Sequence, residues 1–90
     1  MNNPASIYVF EDGELVYFKF PYNEVARLSF RELPYDARNP VYGRGWNKGG
    51  KCWVFPVEMS YQIESIIQQA FDGHTQWFWC HTLDQLLEAQ

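Results

Sequence analysis

The stretch Gly45-Trp46-Asn47-Lys48-Gly49-Gly50-Lys51-Cys52 has the spacing of a phosphate-binding loop: glycine, four residues, glycine, lysine. Such a loop needs a hydroxyl after the lysine to meet magnesium, and a helix opening directly behind it whose amides hold the phosphates. Cys52 supplies no hydroxyl, and Cys52-Trp53-Val54-Phe55-Pro56 has the character of a strand. A nucleotide-hydrolysing site is therefore rejected. What is left is a cationic, aromatic, glycine-rich segment in which Arg44, Trp46, Lys48 and Lys51 follow Tyr35, Arg38 and Tyr42. Cations interleaved with rings suit phosphate contact combined with base stacking, which is worth roughly 1–3 kcal/mol per base.

Other chemistry is sparse. Cys52, His74, Cys80 and His81 could in principle supply four zinc ligands, but no paired CxxC or HxxxH unit is present. Cys80 and His81 would also point to opposite faces of a strand, so no metal and no cofactor is expected. Two cysteines do not make a secreted disulfide framework, and a nucleophilic cysteine or histidine would need an oriented partner that nothing specifies. Glu11 and Asp12 read as turn residues, not as an acid–base pair. The expectation is a protein that is not an enzyme.

Ninety residues fit one domain, 1–90. So short a chain holds a marginal core unless its side chains are large, and 19% of them are Phe, Tyr or Trp. The net charge of −4 conceals an uneven distribution. Residues 1–24 set Lys19 against Glu11, Asp12, Glu14 and Glu24, and residues 55–90 carry five acids with no Lys or Arg. Arg27, Arg31, Arg38, Arg44, Lys48 and Lys51 all lie between, against only Glu32 and Asp36. Six of the seven cations in one third of the chain point to an anionic partner. No apolar run approaches a membrane span and Met1-Asn2-Asn3-Pro4 is no signal peptide, so a soluble cytoplasmic protein is expected.

The elements that must position these residues follow from period and punctuation. Ser6 to Phe10 and Glu14 to Phe20 read as strands of a hairpin across Asp12-Gly13. Asn23 caps a helix running to about Leu33, and Pro34 stops it. Residues 34–50 read as a long loop. Lys51 to Phe55 returns to strand, and a helix follows from about Glu58 to Phe71, closed by Asp72-Gly73. Thr75 to Cys80 is a fourth strand, with Trp77 and Trp79 on one face and Phe78 on the other. Thr82 with Gln85 forms a capping-box pattern that opens a last short helix. The order β-β-α-loop-β-α-β-α is α+β: a small, mainly antiparallel sheet with helices on one face. The last helix is also expected to cover one side of the aromatic fourth strand.

Three segments resemble the HARP (HepA-related protein) domain of annealing helicases and the HARP-like N-terminal domains of phage repair helicases. They are Tyr17-Phe18-Lys19-Phe20-Pro21-Tyr22, the helix end Leu28 to Pro34, and Arg44 to Pro56, which ends in Lys-x-Trp-x-Phe-Pro. The likeness covers about residues 14–70, with 35–43 standing out as an insertion and 74–90 as an extension. It implies a DNA-binding module for single-stranded or branched DNA, such as forks or single-strand/duplex junctions. Arg44, Lys48 and Lys51 would be phosphate contacts and Trp53 and Phe55 core. Arg27, Arg31 and Arg38 extend the expected phosphate-contact set, and Tyr42 and Trp46 are expected to stack on bases. The rival reading is a small phage-type inhibitor or adaptor, for example an anti-CRISPR or other anti-defence protein. It would bind a host or phage protein through Trp77 and Trp79 or through the acidic ends.

Overall fold

A computed structural model describes residues 3–89. Its centre is a five-stranded sheet in the order β3-β4-β2-β1-β5. The strands are β1 Ala5–Glu11, β2 Leu15–Lys19, β3 Gly45–Asn47, β4 Cys52–Pro56 and β5 Thr75–Trp79. All neighbours pair antiparallel except β1 and β5, which run parallel. The α+β class with a mainly antiparallel sheet is thus the observed one. A five-residue strand parallel to β1 needs a crossover, and helix α2, Ser60–Ala70, provides it between β4 and β5.

The first hairpin turns at Asp12-Gly13, where glycine holds φ +95°. Asp12 Oδ1 accepts hydrogen bonds from the backbone N–H groups of Glu14, at 2.9 Å, and Leu15, at 2.8 Å. Helix α1, Glu24–Arg31, begins where Asn23 accepts from the Ala26 N–H. The same Asn23 donates through Nδ2 to the carbonyl of Ala70, which ties the start of α1 to the end of α2. Before α2, residues Val57–Met59 form a single 3-10 turn. Helix α3, Leu83–Glu88, opens at Thr82, whose hydroxyl accepts from the Gln85 N–H as the capping pattern requires.

Alternation along each strand sorts the side chains onto two faces. Ile7, Val9, Val16, Phe18 and Phe55 meet Ala26, Phe30, Ile63 and Ile67 under α1 and α2. On the other face Leu86 of α3 is fully buried among Cys52, Val54, Tyr8 and Tyr17. The third helix therefore lies opposite the first two, where the sequence reading placed helices on one face. The cause is β5: its parallel course ends the chain beside Val9, and Cys80 donates to the Val9 carbonyl, so the chain turns over the uncovered side.

Residues 34–50 are more ordered than the expected loop. Two 3-10 turns, Tyr35–Arg38 and Pro40–Tyr42, lead into β3, giving the sheet five strands instead of four. Gly45 is fixed there by its backbone: φ is +90°, and a Cβ would lie 2.8 Å from the Arg38 carbonyl oxygen.

Candidate nucleic-acid interface

The glycine–lysine stretch is a β-hairpin. Gly45–Asn47 pairs with Cys52–Val54, and Trp46 stands directly across from Trp53. Asn47 Oδ1 accepts from the Gly50 N–H at 2.9 Å and closes the turn, with Lys51 in a left-handed conformation at φ +53°. No helix follows Lys51, so no amides converge on a phosphate as a P-loop requires. Cys52 is a buried strand residue whose thiol is pushed up in pKa by burial, opposed by the charge of Lys19.

This hairpin walls a broad groove of about 1670 Å³ at one end of the sheet. Lys19 and Phe20 enter it from the end of β2, Arg27 and Arg31 from α1, and Trp46, Lys48, Lys51 and Trp53 from the hairpin. Among the described residues that line it, Asp72 is the one acid against five cations. The groove thus gathers five of the eight expected contact residues: Arg27, Arg31, Trp46, Lys48 and Lys51. Sequence separation hides this, because it is a ring cluster beneath the groove that brings α1 and the hairpin together in space. Phe30 of α1 lies 4.8 Å from Trp53, and Trp53 lies 5.2 Å from Trp46, centroid to centroid. Trp46 rests on that floor with 51% of its surface exposed.

The cations differ in what already engages them. Arg27 is held by Glu24 at 2.5 Å, and that contact, with a hydrogen bond from Tyr22, keeps the Glu24 carboxyl below its ordinary pKa. Lys19 donates to the Leu87 carbonyl at 2.6 Å. Among the described residues, no carboxylate pairs with Arg31, Lys48 or Lys51. These three charges project into water, the state in which a cation is free to replace a phosphate's counterions.

Arg38, Tyr42 and Arg44 lie apart from the groove lining. Arg44 Nη1 donates to the Asp36 carbonyl at 2.7 Å, and its guanidinium sits over the Tyr42 ring. Arg38 lies over the ring of Tyr35. The Nε atoms of both arginines are shielded from solvent without a hydrogen-bond partner, so their stems are packed into the 35–44 segment. Lys19 is the groove cation that sequence reading leaves out. It falls in the acidic first third, yet the register Phe18↔Trp53 sets it at the level of Cys52. Strand pairing is the signal that would have found it.

The tryptophans of β5 separate in role. Trp77 is half-buried against the α2 face, and its indole N–H lies within hydrogen-bonding distance of Thr75 Oγ1 and Gln68 Oε1. Trp79 is 56% exposed at the sheet edge. Phe78, on the other face, stacks on Tyr8 at 5.0 Å. Cys52 and Cys80 are both free thiols, and among the described residues no three His, Cys, Asp or Glu side chains are grouped to hold a metal ion. No described helix is long and apolar enough to cross a membrane.

Compared with known proteins, the chain matches no family model, no curated protein and no solved structure.

Proposed function

We propose that the chain is a non-enzymatic nucleic-acid-binding module that takes DNA in the groove between α1 and the β3–β4 hairpin. The supporting observation is that Arg27, Arg31, Lys48 and Lys51 line one groove with an exposed Trp46, that Lys19 reaches its lining from the α3 side of the sheet, and that Asp72 is the one acid among the described lining residues. An acidic protein that collects five cations in one groove concentrates its positive potential there, whatever its net charge. The lysines and Arg31 neutralise phosphates, and Trp46 offers a ring face to an unpaired base. Arg38, Arg44 and Tyr42 hold the segment that carries β3. The HARP-like segments of the sequence agree with this reading and favour branched or junction DNA.

Titration of labelled single-stranded, duplex and forked DNA over a range of salt tests it. Binding should weaken linearly on a log–log plot of affinity against salt. Lys48→Ala with Lys51→Ala should lower the slope by about 0.7 per lysine on a single strand and about 0.9 on duplex. Trp46→Ala should weaken single strands more than duplex. Absence of binding at low salt would reject the proposal. It would favour the second reading, a protein-binding adaptor, which rests on Trp79 standing exposed on an uncharged edge strand.

A further inference from the structure

Helix α3 touches the groove wall at two independent points, both through Leu87. The Leu87 carbonyl, in the last turn of the helix, accepts from Lys19 Nζ at 2.6 Å. The Leu87 side chain stands over Gly50 so closely that a Cβ added there would lie 2.6 Å from Leu87 Cδ2. Gly50 has no left-handed φ to explain it; the crowding there comes from the Leu87 methyl and, at 3.3 Å, from Cys52 Sγ. One residue back, Leu86 is fully buried against Cys52 and Val54, the residues that carry the hairpin into the sheet.

We infer that α3 is the strut of the groove and Leu87 its positioning residue: one residue fixes Lys19 by its carbonyl and the Lys48–Lys51 turn by its side chain. The inference rests on the groove being the binding surface proposed above, but the mechanical link is a property of the protein alone. The macrodipole of α3 puts partial negative charge at its C-terminal carbonyls, which suits Lys19 there. A phosphate drawn to Lys19 competes with that carbonyl, while one drawn to Lys48 and Lys51 bears on a turn that Leu87 braces. Occupancy of the groove and docking of α3 are therefore linked, and linkage is reciprocal.

Two variants and one double variant test this. Leu87→Ala removes the brace, and Gly50→Ala drives a methyl against it without backbone strain. Both should accelerate amide exchange in residues 48–51 and in α3. Both should weaken oligonucleotide binding by about fivefold, the low end of ordinary coupling. Because Leu87→Ala makes room for the methyl, the double variant should lose less than the product of the two single losses. General destabilisation would give no such relief. Amide exchange at 48–51 unchanged in Leu87→Ala overturns the strut, with or without DNA. Failure of the wild-type protein to bind any oligonucleotide rejects the functional proposal alone, since the exchange experiment on the free protein still decides the strut.

Discussion

Asp12 and Gly13 share the work of the first turn: the glycine takes the positive φ, and the carboxylate accepts the two N–H groups that the turn leaves open. Those hydrogen bonds, first from Leu15 and then from Glu14, hold the Asp12 carboxyl below its ordinary pKa of 3.8. The folded state thus favours the ionised form, so this contribution is complete above the unfolded value and fades as pH falls through the lower folded one. Asp12→Asn should cost about 1 kcal/mol at neutral pH, a modest figure because the group is exposed. The gap between wild type and variant should close below about pH 4, measured by urea denaturation across pH. A gap that persists unchanged into acid would show that charge plays no part in the turn.

Elements with a local signature are legible in the sequence, and those made by tertiary contact are not. Asn23, Thr82 and Asp72-Gly73 mark helix ends because caps and stops act within a few residues. β3 is three residues long, too short to show a period, and it exists because Trp46 pairs with Trp53 and Arg38 walls in Gly45. The two 3-10 turns before it are held by Asn39, which accepts from the Val41 N–H, and by the Arg44–Asp36 contact. The same division runs through the candidate site. Arg31, Lys48 and Lys51 are readable as a cationic cluster, while Lys19 joins them only through strand register. Arg44 stands within the cluster in sequence and serves the 35–44 segment in space. Arg44→Ala should therefore lower stability by about 1–2 kcal/mol, as loss of a charged hydrogen bond does, and leave the salt slope of DNA binding almost unchanged. A slope reduced as much as by Lys48→Ala would make Arg44 a phosphate contact after all.

Across the whole molecule the core and the groove are one structure. The sheet is covered on both faces, and the larger core ends in the ring cluster of Phe20, Phe30, Trp53 and Phe55, which is also the floor under Trp46. A domain this small has a total stability of roughly 5–13 kcal/mol, so the cluster's contribution is a large share of the whole. Phe30 is its hub, fully buried and within 6.3 Å of Phe20, 4.8 Å of Trp53 and 4.9 Å of Phe55. Phe30→Ala should cost about 3–5 kcal/mol, because the rings around it are anchored on different elements and cannot all close the void. Phe30→Leu keeps most of the volume and should cost far less, leaving a folded protein in which the floor is only loosened. In that variant Trp53 and Trp46 should show red-shifted emission, and single-stranded DNA should lose more affinity than duplex, because stacking needs a rigid ring and phosphate contact does not. Equal losses for both DNA forms would mean that Trp46 takes no base, and that charge alone makes the groove a binding surface.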